Sequence, residues 1–179
     1  APSAYAVADA FRARGVPVVL GGPHVSFLPE EALEHGDFCI VGEGESALPA
    51  LVEALNAVSP LDAVPGLVWK ENGRLRVNTP APHIQDLDSL PFPDFSLLDM
   101  GTSTRMGGPM GKSTIPLQTS RGCPFDCSFC SVTPMFGKRY RHRSTQSVLD
   151  ELSRYDPRKH DIFFYDDNFT ASRAKAKDL

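Results

Sequence analysis

A chain of 179 residues, 41% hydrophobic and 22% charged, is long enough to bury a core, and its net charge of −4 gives no global signal for nucleic acid or a membrane surface. No apolar run approaches the ~20 residues of a membrane-spanning helix, and Ala1-Pro2-Ser3-Ala4-Tyr5-Ala6 lacks the basic start and apolar stretch of a signal peptide. Four cysteines, three of them clustered, form no disulfide framework and fit a reducing cytoplasm.

Residues 3–14 predict a helix, with Tyr5, Ala8 and Phe11 at helical spacing and Gly15 as its stop. Val16 to Leu20 predicts a short buried parallel strand, ending in Gly21-Gly22-Pro23-His24. Glycines at the carboxyl end of such a strand let backbone approach a ligand closely, although a tight turn alone also accounts for them. His24 reads as a hydrogen-bonding loop residue rather than a metal ligand. A short helix follows at 29–35, then a strand from Phe38 to Val41, in which Cys39 acts as a small hydrophobe. Gly42-Glu43-Gly44-Glu45 is the next loop. It matches a dinucleotide fingerprint in form, but two carboxylates would repel a pyrophosphate. They can accept hydrogen bonds from a neutral ligand amide or ribose, or serve the loop itself. Ser46 then opens a helix with Leu48, Leu51, Val52, Leu55 and Val58 at helical spacing. This alternation is that of a doubly wound α/β sheet.

From residue 59 proline, glycine and asparagine rise. Leu67 to Lys70 and Arg74 to Val77 flank Glu71-Asn72-Gly73, a hairpin signal. Asp86 to Phe95 is a proline-stiffened linker with apolar anchors. Gly107 to Thr114 looks like a phosphate-binding loop, yet Met106 stands where that pattern needs glycine, and Pro116 blocks the helix that should follow.

Ile115 to Ser120 predicts a strand, and from its last two residues runs Thr119-Ser120-Arg121-Gly122-Cys123-Pro124-Phe125-Asp126-Cys127-Ser128-Phe129-Cys130. The C-x3-C-x2-C spacing lets three soft thiolates, Cys123, Cys127 and Cys130, converge on zinc, copper(I) or an iron–sulfur cluster. Three ligands are one short of a closed structural site, so an open metal position remains. A zinc site would need His142 as fourth ligand, and the arginines on either side of it disfavour a dication. Ser131 to Arg143 carries Lys138, Arg139, Arg141, His142 and Arg143 interleaved with Phe136 and Tyr140, a pattern that can hold single-stranded nucleic acid. The acidic chain supplies no second basic stretch, which argues against that partner. Ser144 caps a helix with Val148, Leu149, Leu152 and Tyr155 on one face, and Pro157 ends it. Asp161 to Tyr165 is the next strand, ending in Asp166-Asp167-Asn168-Phe169.

The cysteine spacing, Phe129 before the last cysteine and the preceding Thr-Ser-Arg-Gly-Cys-Pro resemble the radical S-adenosylmethionine (radical SAM) superfamily. Val-Val-Leu-Gly-Gly-Pro-His and Val-Gly-Glu-Gly-Glu upstream resemble the C-terminal part of a Rossmann-like cobalamin-binding domain. Together they look like the cobalamin-dependent class, hopanoid-methylase-like proteins among them. The resemblance implies an α/β architecture in three parts: a cobalamin-binding-like domain over 1–58, a hairpin and linker over 59–114, and the start of a (β/α)6 partial barrel over 115–179. It implies a 4Fe-4S cluster on Cys123, Cys127 and Cys130, whose open iron chelates SAM. It places Phe129, Asp166, Asp167, Asn168 and one arginine, Arg143 or else Arg141, at SAM, and Gly21, Gly22, Glu43 and Gly44 at cobalamin. Simple packing for Phe129 and helix capping for Asn168 are the alternatives. The activity implied is reductive cleavage of SAM to a 5′-deoxyadenosyl radical, for cobalamin-assisted methyl transfer or C–H modification of a small-molecule substrate. Flavodoxin or ferredoxin would supply the electron. The cobalt-ligating Asp-x-His-x-x-Gly of the class is not in the chain. With no methionine at its start and a helix-like, uncapped end, the sequence reads as a fragment, with an inactive cluster-binding piece as the alternative.

Overall fold

The structure, a computed structural model, describes residues 1–57, 59–97 and 112–179. Val58 and the glycine-rich stretch 107–111 lie outside the described residues. Two compact units emerge: residues 1–84 with Pro134–Phe136, and residues 85–133 with 137–179.

The first unit contains helices α1 (Pro2–Arg12), α2 (Pro23–Phe27), α3 (Pro29–Ala32) and α4 (Ala47–Leu55). Its sheet has the order β1 (Val19–Leu20), β2 (Phe38–Ile40), β3 (Leu67–Glu71), β4 (Arg74–Val77). β1 and β2 are parallel, as expected of an α/β crossover. β3 runs antiparallel to β2, so the hairpin expected in the linker completes this sheet. The period of two along each strand builds the core. Cys39 and Val68 face one side and join Tyr5, Val25, Ala32 and Leu33. Ile40, Leu67 and Trp69 face the other and join Ala47, Leu51 and Val64. Helices therefore lie on both faces.

Three expectations change. β1 is shorter than the apolar run suggested, and Val19 is exposed, because it is an edge strand. Phe11, Leu48, Val52 and Leu55 keep helical spacing but are exposed; among the described residues of that stripe only Leu51 is fully buried. Ser46 occupies the N-cap of α4 without a side-chain cap bond, since its backbone is already helical. Cys39 behaves as expected: it is fully buried, and burial pushes its thiol up to about 11.

The second unit holds a parallel pair, β5 (Ser113–Leu117) and β8 (His160–Phe164). The strand at Ser113–Leu117, rather than a helix, follows Lys112, whose ammonium lies 3.3 Å from Asp161. Between the pair in sequence come β6 (Ser120–Arg121), β7 (Arg141–His142) and α6 (Thr145–Leu152), with α7 (Arg173–Asp178) after β8; α5 (Val132–Phe136), also between them in sequence, falls mostly to the first unit. Ser144 caps α6 as predicted, accepting from the Ser147 amide. Leu149 is exposed, however, and Glu151 takes the buried place among the α6 side chains beside Val148.

The hairpin turn has positive φ at both Asn72 and Gly73, the mirror-image geometry that suits the twist of paired strands. Gly66 is more constrained. It has φ +70, and a Cβ there would stand 2.7 Å from the Val41 carbonyl oxygen. Its own backbone bridges Val41 and Thr79. Gly66→Ala is expected to lower the unfolding free energy by about 2 kcal/mol or more, whereas Gly73→Ala, whose Cβ meets nothing, loses only about 1 kcal/mol through its backbone conformation. Denaturation midpoints of the two variants check the difference.

Candidate metal centre

The cysteine loop is fixed at its root. β6 and β7 pair Ser120 with His142 and Arg121 with Arg141, which draws residues 122–140 into a loop with a closed neck. The Cys123 amide donates to the Gly137 carbonyl at 3.2 Å, just inside that neck. Gly122 and Gly137 both have positive φ where the chain enters and leaves. Farther out, the Cys130 amide closes a turn on the Cys127 carbonyl at 3.0 Å. The Thr133 hydroxyl donates to the Phe125 carbonyl, and Lys138 pairs with Asp126 at 2.6 Å. Cys123 is buried, Cys130 half-buried and Cys127 exposed, all with free thiols.

Asp166 ties this root to the end of β8. Its carboxylate accepts from the Thr119 amide (3.0 Å), the Thr119 hydroxyl (3.0 Å) and the Ser120 hydroxyl (2.5 Å). The Tyr140 hydroxyl, 3.2 Å from Ser120 Oγ, donates to the Asn168 carbonyl. Asn168 in turn points its amide nitrogen at Cys123 Sγ, 4.0 Å away. Asp167 is exposed by surface area, but the atoms packed around its carboxyl, and then Asp166, push its pKa above the ordinary range. Phe129 is 90% exposed.

Arg143 has a different setting from the one expected. Its guanidinium pairs with the fully buried Glu151 and donates to the Gln118 carbonyl (3.0 Å) and to the carbonyl and hydroxyl of Ser147. Phe92 lies under it at 5.3 Å. Its donors are thus spent on its own unit, and a SAM carboxylate would have to displace them. Arg141 is buried behind the neck. Arg141 and Arg143 thus leave the exposed basic surface of this stretch, and Lys138 pairs with Asp126. His142 packs edge-on against Tyr140, and burial lowers its pKa. Sequence reasoning missed Glu151, Tyr140, Thr119 and Ser120. A glutamate at a core-facing position of α6 was the available signal for the first.

In the first unit, Gly22 has φ +98 at the start of α2, and a Cβ there would meet nothing. A Cβ at Gly21 or Gly44 would meet nothing closer than 3.8 Å. These glycines leave open space rather than relieve internal crowding. Glu43 is buried and accepts the Ile84 amide at 2.7 Å, a bond within the unit. His24 is a surface partner of Glu31 at 3.0 Å, the hydrogen-bonding role expected.

Among the described residues, no three His, Cys, Asp or Glu side chains stand close enough to share one metal ion. Three unpaired thiols on a loop with a fixed root suit the cluster. The glycine space suits a ligand such as cobalamin, but Glu43 offers it little.

The B12 binding domain family matches residues 2–52, and the Radical SAM superfamily matches residues 117–179. An uncharacterized methyltransferase of Pyrococcus horikoshii, PH0819, is 42% identical over 167 residues, covering 90% of this chain and 36% of its own length. Hopanoid C-3 methylase of Methylococcus capsulatus is 34% identical over 152 residues, 83% of this chain and 28% of its own length. The chain thus spans about a third of these relatives. The solved radical S-adenosylmethionine methyltransferase TsrM from Kitasatospora setae, with tryptophan substrate and a SAM analogue bound, superimposes with a TM-score of 0.74. That match covers 97% of this chain and 34% of TsrM at 24% identity, a likeness of fold.

Arg143→Met, which leaves the Glu151 carboxylate buried without its cation, is expected to cost about 3 kcal/mol of stability with no ligand present. Urea unfolding of the variant measures it; an unchanged midpoint would free Arg143 for a ligand.

Proposed function

The chain belongs to the radical SAM superfamily, in the class that joins a B12-binding domain to the radical SAM core, and from that membership we propose the activity of the full-length protein. It reductively cleaves S-adenosylmethionine to a 5′-deoxyadenosyl radical and uses it in cobalamin-assisted methyl transfer or C–H modification of a small-molecule substrate. The observation that carries this is the loop of three free cysteines, spaced C-x3-C-x2-C and clamped at its neck beyond the carboxyl end of β5. Barrel active sites lie at that end of the strands.

Cys123, Cys127 and Cys130 would hold a 4Fe-4S cluster. Once in place, the cluster supplies one electron and an open iron position for the SAM amino and carboxylate groups, and cobalamin supplies a methyl carrier. The remaining work falls to side chains of this chain. The closed neck orders the loop before any metal arrives, so less chain entropy is lost on binding. Exposed Phe129 offers a face on which the adenine of SAM can pack. Exposed Asp167 is an acceptor for the hydrogens of the SAM amino group, while Asp166 already accepts from Thr119 and Ser120. Arg143 holds α6 to the end of β5 through Glu151 and Gln118 rather than reaching SAM. Gly21, Gly22 and Gly44 give cobalamin room near the backbone, while Glu43 stays with Ile84.

The partners follow from this chemistry: a small-molecule substrate and a low-potential donor such as flavodoxin or ferredoxin, in the cytoplasm. No helix among the described residues is long and apolar enough to cross a membrane.

Anaerobic reconstitution of the full-length protein with iron and sulfide tests the proposal. The expected result is about four irons per chain, as a cubane requires, and 5′-deoxyadenosine on adding SAM and dithionite. Replacing Cys123, Cys127 and Cys130 together by alanine should abolish both. A wild-type protein that assembles no cluster overturns the reading.

A further inference from the structure

We propose that Asn168 is a positioning residue for the cluster's electronics: its side-chain amide donates a hydrogen bond to the Cys123 sulfur and raises the reduction potential of the cluster held there. The inference rests on the cluster reading above, but its evidence is separate.

Asn168 Nδ2 stands 4.0 Å from Cys123 Sγ, at the outer reach of an N–H···S contact. Two features make the approach a consequence of the fold. The Tyr140 hydroxyl donates to the Asn168 carbonyl and so holds the backbone of that residue. Tyr140 is itself in contact with Ser120, and Ser120 with Asp166, two residues before Asn168. The closed circuit Asp166–Ser120–Tyr140–Asn168 therefore sets the distance between the end of β8 and the first cysteine. The sulfur it reaches is the buried one; Cys127 is exposed.

A neutral N–H dipole aimed at a thiolate ligand stabilises negative charge on that sulfur. The reduced cluster carries one more electron than the oxidised one, and part of that charge resides on the cysteine sulfurs. The bond is therefore stronger in the reduced state, and hydrogen bonds to sulfur are among the recognised determinants of cluster potential. Burial of Cys123 sharpens the effect, because little water competes for its sulfur. The electron comes from the external donor, or from dithionite in the test; Asn168 transfers nothing.

The test is an anaerobic redox titration of the reconstituted full-length protein, followed by electron paramagnetic resonance. Asn168→Leu should weaken reduction about tenfold, which for one electron is a midpoint lower by 59 mV. Asn168→Asp, which keeps the shape and replaces the donor with a carboxylate, should lower it further. Tyr140→Phe, removing only the hydroxyl that holds Asn168, should shift it in the same direction by less. Unchanged midpoints in variants that retain full iron and the wild-type spectrum overturn the inference while leaving the cluster itself in place. Should the variants fail to fold, wild-type protein labelled with 15N-asparagine decides: a 15N coupling on the reduced cluster supports the bond, and its absence overturns it. A wild type without any cluster fails at the earlier reading instead.

Discussion

The second unit hangs on one carboxylate. Asp166 stands just past β8 and accepts from both backbone and side chain of Thr119 and from Ser120, at the point where β5 gives way to the cysteine loop. Remove those bonds and β5 and β8 still pair, but the loop root no longer has a defined place against the end of β8. The short β6–β7 ladder has only two residue pairs and would be weak alone. Anchored by Asp166, it becomes the neck of a loop. Cys123 is then held by the Gly137 carbonyl and approached by the Asn168 amide, two residues past that anchor.

Polar groups elsewhere in the unit follow the same economy. Glu151 is buried only because Arg143 meets it, and Arg143 is held only because Gln118, Ser147 and Phe92 complete its surroundings. A buried ion pair of this kind adds little net stability over apolar packing, but it penalises any arrangement that separates the partners. Here it fixes α6 relative to the end of β5. Asp88 contributes from the linker, where its carboxylate accepts from the Ser144 amide at the start of α6. A segment that reads as a spacer is thus bonded to the helix it precedes.

Much of the fold was legible in the residues. Alternating apolar and polar positions, glycines at strand ends, and Asn72-Gly73 between two short strands announce their elements through local physics. The cysteine spacing was legible for the same reason, since ligand geometry is written in short-range sequence. What could not be read were partnerships across long separations. Nothing near Asp166 announces that Thr119 and Ser120, more than 40 residues earlier, will bond to it. Nothing in an arginine-rich run shows which guanidinium faces inward to meet Glu151. The hairpin was recognised as a hairpin, yet its antiparallel pairing with β2 depends on burial of Val68 and Trp69, which local pattern does not specify. The exposed stripe of α4 shows the converse: helical periodicity marks a face but not what covers it.

Glu43 bears on where the first unit can be cut. Its buried carboxylate accepts the amide of Ile84, beyond the last strand of its sheet. A piece trimmed after β4 would keep every strand of that sheet and both cores, and would still take one hydrogen bond from a carboxylate in a place water reaches poorly. The smallest portable version of this unit is therefore set by a hydrogen bond to a residue outside its sheet. Grafting it onto another protein means carrying the segment after the hairpin along with it.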